Sequence, residues 1–254
     1  MLNNIVIGSY YPVKSKIHFM NPVNKMLCTI LFIVTSFLCK DPKIMLLLTF
    51  LCVLMAELGH LPKSIYFKTF KNLRLLIVLL AILYYFMGVD LDTVICVILR
   101  LLNIVLYTTV LTLTTAPTEL TYGLQKVLGI FKIVGLPVNK MALSLSLALR
   151  FIPTIIDQGN KILKSQASRG IDYYASRFGG KVMAIKSMII PMFILTIRRA
   201  DILSESMQFR LYDINAKRTN FKVSKISFFD IFIFVIHAGI LGVIIARMVI
   251  KWNI

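Results

Sequence analysis

The chain has 254 residues, 58% of them hydrophobic, with a formal net charge of +18 and a mean hydropathy of +0.81. Soluble domains rarely exceed about half apolar residues, and here the basic residues sit between long uncharged runs. That pattern reads as a polytopic membrane protein and sets aside nucleic-acid binding as the meaning of the charge. Cys28, Cys39, Cys52 and Cys96 stand alone, and His18, His60 and His237 are far apart, so neither a disulfide framework nor a zinc site is indicated.

Residues 1–21 form a polar-to-mixed lead without the pattern of a removable signal peptide. Asn21-Pro22 reads as an N-cap followed by proline at the first helical position. Val23 to Cys39 is a first span, with Lys25 expected to snorkel at its start. After a tight turn over 40–43, Ile44 to Leu58 is a short second span expected to tilt. A basic loop over 60–74, carrying Lys63, Lys68, Lys71 and Arg74, leads to a third span from Leu75 to Met87. The next loop, 88–92, holds Asp90 and Asp92 and no base. A fourth span runs from about Thr93 to Thr115, interrupted by Arg100, which is expected to snorkel or to pair with a helix-end carbonyl or an acid. The loop charges place the N-terminus inside and return the chain to the cytoplasm at Thr115.

The region 116–225 carries 17 of the 29 basic residues. Pro117 and Glu119 suit the first turn of an amphipathic helix reaching about Val134, which Gly135-Leu136-Pro137 breaks. Asn139 can cap a helix to Ser168, thirty residues or roughly 45 Å long at 1.5 Å per residue. A third helix runs from about Val182 to Leu211. Pro153 and Pro191 lie inside these two long helices and are expected to kink them. The first ends on Gln166-Ala167-Ser168-Arg169-Gly170, a cation in the last turn followed by a glycine suited to a left-handed backbone. The second ends on Gln208-Phe209-Arg210-Leu211.

Ser227 to Val249 is a fifth span, where Ala238, Gly242 and Ala246 suggest a close-packing seam; Arg247 and Lys251 fall at its outer end. The expected architecture is an all-α integral membrane protein of about five transmembrane helices. It divides into four spans over 1–115, three cytoplasmic helices over 116–225, two of them long and crossing, and a C-terminal transmembrane helix over 226–254.

Catalytic patterns are missing. There is no GxxxxGK[ST] phosphate loop, no HExxH, no GxSxG, and no DxxD cluster in or beside a span. Glu57 is the one carboxylate embedded in an apolar run. A membrane enzyme such as a lipid transferase would need clustered acids for a metal. A permease working alone would show internal repeats or broken, charged midplane helices. The chain therefore reads as neither, and its chemistry is expected in a partner.

Several stretches together resemble one family. Ser15, His18, Pro22 and Lys25 are similar to a Ser-x-x-His-x-x-Asp-Pro-x-x-Lys run, with Asn21 in place of the aspartate. Thr114-Thr115-Ala116-Pro117 with Leu120 is similar to Thr-Thr-x-Pro-x-x-Leu. Residues 147–153 resemble the start of a first coupling helix, and Ala167-Ser168-Arg169-Gly170 resembles an Ala-Arg-Gly signature. Residues 206–212, followed by Arg218-Thr219, resemble its second copy, with Phe209 and Leu211 where small residues are usual. That departure predicts a second helix end without the tight closure of the first. The family is the T component (EcfT, CbiQ-like) of energy-coupling factor transporters, the bacterial ABC-type importers of vitamins and transition metals.

The resemblance implies a scaffold in the bacterial cell membrane that is not itself an enzyme. Two cytoplasmic ATPase subunits, of EcfA and EcfA′ type, bind ATP and Mg; this chain binds no cofactor or metal. The tips of the long helices, Ala167, Ser168, Arg169 and Gly170 on one and Phe209, Arg210 and Leu211 on the other, seat in grooves on the ATPases. A membrane-embedded, substrate-binding S component and the lipid bilayer complete the partners, with no nucleic acid. Vitamin or micronutrient uptake is the expected role, with a dedicated cobalt or nickel importer as the alternative within the family and a polytopic membrane enzyme outside it.

Overall fold

The computed structural model describes residues 10–13, 15–39, 41–129, 137–171, 178–213, 216 and 226–252. Among them the regular structure is helical: α1 Pro22–Leu38, α2 Pro42–Leu58, α3 Lys63–Phe86, α4 Leu91–Thr114, α5 Pro117–Leu128, α6 Val138–Ser168, α7 Phe178–Phe209 and α8 Phe228–Trp252. Among the described residues four stretches are long and apolar enough to cross a membrane: Tyr66–Phe86, Leu91–Thr114, Lys140–Ser168 and Phe228–Ile250. The protein is an all-α membrane protein. Two expected spans, α1 and α2, are only 17 residues long. By length and composition α6 also qualifies, although the sequence reading assigned it to the cytoplasm.

The chain folds as two compact units, one over 8–136 and 222–254 and the other over 1–7 and 137–221. In the first, α1 packs on α4, α5 and α8, while α4 also packs on α2 and α3. Asn21 caps α1 as expected, its side chain accepting from the Val23 N–H at 2.9 Å, with Pro22 at the first helical position. The core joins Ile17 and Met20 of the lead to Phe32, Leu48, Tyr107, Ile233 and Ile244, and includes all four cysteines, which are free. Phe32 stacks on Tyr107 at 4.2 Å between ring centroids. The Tyr107 hydroxyl donates to His237 Nε2 at 2.8 Å, because His237 Nδ1–H is directed at the Ile233 carbonyl at 2.9 Å.

Several expectations change. The basic stretch 60–74 is a helix rather than a loop from Lys63 onward. After Pro62 no glycine or proline interrupts the chain until Gly88, so α3 runs 24 residues without a break. Pro137, not Asn139, occupies the N-cap position of α6. The continuation of α5 over 130–134 lies outside the described residues. The Ala238–Gly242–Ala246 face is not a seam within the chain: a Cβ built on Gly242 meets no described atom within 4 Å, and α8 instead turns the buried Ile233, His237 and Ile244 inward. The close approach is made by α5, where a Cβ on Gly123 would lie 2.6 Å from Met26 Sδ and 3.3 Å from the Pro22 carbonyl oxygen.

Candidate functional site

Charged side chains play two different parts. In the bundle, Lys25 and Asp230 are buried and bonded. Lys25 does not snorkel: it is only 5% exposed. Its ammonium donates to the Thr114 carbonyl at 3.0 Å, the His18 carbonyl at 3.3 Å and Thr115 Oγ1 at 3.5 Å. It thereby satisfies carbonyls left over at the C-terminus of α4 and ties them to α1 and the lead. Asp230, absent from the sequence reading, is 0% exposed. Its Oδ2 accepts from Ser227 N–H at 2.8 Å, the acidic half of a capping box on α8, and its Oδ1 accepts from Asn21 N–H at 3.3 Å. Asn24 donates to the Asp230 carbonyl. The starts of α1 and α8 and the end of α4 thus lie together.

His18 stands beside this hub. Its Nε2 lies 2.9 Å from the Tyr11 carbonyl, which can only accept, so Nε2 carries the proton and Nδ1 accepts from Ser15 Oγ at 2.7 Å. Partial burial holds its pKa below the ordinary value of 6.5; Lys25 lowers it further, while the Tyr11 and Leu113 carbonyls and Glu119 oppose that. At the opposite end, Arg100 donates to the Ser36 and Cys39 carbonyls at 2.9 and 2.7 Å, closing the C-terminus of α1, and lies 5.7 Å from the Phe37 ring centroid. Of the roles left open for it, this is the pairing with helix-end carbonyls.

In the second unit the arginines at the two helix ends, Arg169 and Arg210, stand clear. Nine residues separate α6 from α7, too few to return α7 to the start of α6, so the two pack antiparallel. A groove of about 570 Å³ between them is lined on the α6 side by Leu143, Ser144 and Phe151 and on the α7 side by Arg199, Met207 and Gln208. The α7 end therefore sits beside the start of α6. Arg169 lies twenty-five positions beyond Ser144, so the two arginine-bearing ends stand on the order of 30–40 Å apart.

The two ends share one backbone design. At the first, Gly170 has φ +83°, Gly170 N–H donates to Ala167 O at 3.0 Å and Ile171 N–H to Gln166 O at 3.2 Å. At the second, Leu211 has φ +55°, Leu211 N–H donates to Gln208 O at 2.9 Å and Tyr212 N–H to Met207 O at 3.0 Å. Both are Schellman closures, in register at Arg169 and Arg210. The expectation that Leu211 forfeits the tight end is corrected: leucine adopts the left-handed conformation at a cost of about 1–2 kcal/mol. The two closing hydrogen bonds oppose that cost, and Tyr212 turns back to line the groove.

Ala167, Ser168, Arg169, Gly170 and Arg210 are exposed, Phe209 is 79% exposed and Leu211 is 91% exposed. Each end thus presents a guanidinium on a stiff helix, a shape suited to bidentate capture of a carboxylate. Among the described residues no cluster of three or more His, Cys, Asp or Glu side chains is placed to hold a metal ion.

Residues 13–221 match the CbiQ family, described as "Cobalt transport protein". Similar proteins include the "Energy-coupling factor transporter transmembrane protein EcfT" of Acidaminococcus fermentans, 32% identical over 86% of this chain and 87% of that one. The protein of the same name from Listeria innocua is 32% identical over 91% and 93% of the two chains. That from Lactobacillus helveticus is 32% identical over 95% and 94%.

Proposed function

The chain belongs to the CbiQ family as the transmembrane T component of an energy-coupling factor transporter, and on that premise we propose that it couples two ATPase subunits to a substrate-binding S component. The observation that carries this reading is the matched pair of helix ends. Arg169 and Arg210 occupy equivalent positions in equivalent closures at distant ends of one helix pair, both open to solvent. Two separated and similar docking points suit two related partners, and joint engagement makes the attachment bivalent. ATP and Mg belong to those partners, because the chain has no phosphate loop. Movement of the ATPases on nucleotide binding would pass through α6 and α7 to the S component. The N-terminus and the segment 116–225 lie on the cytoplasmic side in this reading, which agrees with the loop charges and with the meeting of the end of α4 and the starts of α1 and α8.

Vitamin or micronutrient uptake is the favoured cargo class, as the family resemblance of the sequence motifs implies; the relatives' names say only that they belong to energy-coupling factor transporters. The family's description as a cobalt transport protein favours a second reading, a dedicated metal importer. Recovery of several different S components with one ATPase pair supports the first; a single S component with a single kind of ATPase supports the second.

The test is co-purification of tagged ATPases with Arg169→Glu, Arg210→Glu and the double variant. Breaking one desolvated charge pair costs about 2–5 kcal/mol. Each single reversal should therefore weaken association strongly, and the double reversal should abolish association and uptake while membrane insertion persists. Wild-type association of the double variant would refute the coupling role.

A further inference from the structure

The two ends share a backbone but not a surface. Around Arg169 the flanking positions are Ser168 and Gly170; around Arg210 the register-matched positions are Phe209 and Leu211. Phe209 is 79% exposed and Leu211 is 91% exposed, so neither side chain contributes appreciably to the packing of this chain. Closure of the α7 end does not need the leucine side chain either, since the residue after it, Tyr212, lines the groove and donates the second closing hydrogen bond. Leu211 is moreover held at φ +55°, a conformation that glycine adopts without strain. The helix end thus keeps a side chain that strains its backbone and stands almost wholly exposed.

We propose that Phe209 and Leu211 form an apolar recognition element that assigns the second tip to one of the two ATPases, the one whose groove offers an apolar pocket beside the carboxylate that receives Arg210. The proposal rests on the reading of the tips as ATPase-docking ends. Both tips offer the same guanidinium, so charge alone does not tell two acidic grooves apart. Specificity is a difference of affinities, and two large apolar side chains supply it: they fit a pocket and are rejected by a groove shaped for serine and glycine. Buried apolar anchors beside a charged pair are the usual centre of binding energy in such interfaces. Leu211 is exposed, whereas its neighbour Tyr212 lines the groove.

The experiment uses the full chain co-expressed with both ATPases under different tags. The variant Phe209→Ser with Leu211→Gly gives the second tip the surface of the first. Its own melting temperature should be unchanged or raised, because the strain at 211 is removed. Its recovery of one ATPase should fall roughly tenfold or more while recovery of the other is retained. A purely structural role for Leu211 would move stability and association together, so the opposed directions separate the two. Retention of both ATPases, or equal loss of both, overturns the proposal. If both are retained while the double arginine reversal abolishes association, recognition by the apolar pair fails and the docking role stands. If the arginine reversal is also silent, the docking role itself fails.

Discussion

The hub around Lys25 and Asp230 and the two tips at Arg169 and Arg210 place similar charges in opposite circumstances. In the hub each charged group is enclosed and meets backbone donors or acceptors that helix ends leave over. At the tips the guanidinium is exposed and the helix end is closed by the backbone itself. Burial is costly for a charge unless it is bonded, so the hub's charges hold the architecture together and their removal is felt in folding. The charges at the tips are free for a partner, and their removal should be felt only in assembly.

The largest test of this contrast is Lys25→Ala. It orphans the Thr114 carbonyl and removes the cation near Asp230 and Glu119. Loss of one member of a buried charged network costs about 3–5 kcal/mol. The purified chain should show a clearly lower melting temperature, whereas Arg169→Glu with Arg210→Glu should melt like the wild type. Equal melting of Lys25→Ala and wild type would break the contrast. Asp230→Ala comes next, at about 1–3 kcal/mol, since the buried Asn21 N–H and the part-buried Ser227 N–H lose their acceptor. Asp230→Asn should recover part of that loss by keeping one acceptor oxygen.

A smaller effect is expected at Gly123, where α5 approaches α1. An alanine Cβ would meet the flexible Met26 side chain and, less closely, the Pro22 backbone. Gly123→Ala should cost about 1 kcal/mol and Gly123→Val about 1–3 kcal/mol by overpacking. Thermal melting of the series checks the order. If Gly123→Val is neutral, α5 does not bear on the bundle as described.

The smallest effect is one of pH. His18 is neutral in the folded chain, with its pKa below 6.5. A group whose pKa is depressed by folding stabilises the fold fully above its unfolded value, and that contribution falls as pH drops below 6.5 through the folded value. Melting temperature should therefore decline in that window for the wild type and decline less for His18→Gln. A wild-type profile that rises as pH falls through the same window would contradict the neutral, Nε2-protonated form.

The features legible in the sequence were those governed by near neighbours. Apolar runs located helices, Asn21-Pro22 marked the start of α1, and Arg169-Gly170 marked the end of α6, because caps and closures depend on residues within one turn. The basic composition of 60–74 suggests a loop, yet with no helix breaker after Pro62 the stretch is helical from Lys63. At Leu211 side-chain preference alone opposes a left-handed leucine, while closing hydrogen bonds and Tyr212 favour it. Tertiary structure alone decided that Lys25 turns inward, that Arg100 closes α1, and that Asp230 joins Asn21 across 209 positions of sequence. A buried polar group must find its partner wherever packing brings one, and no local pattern encodes a partner that distant.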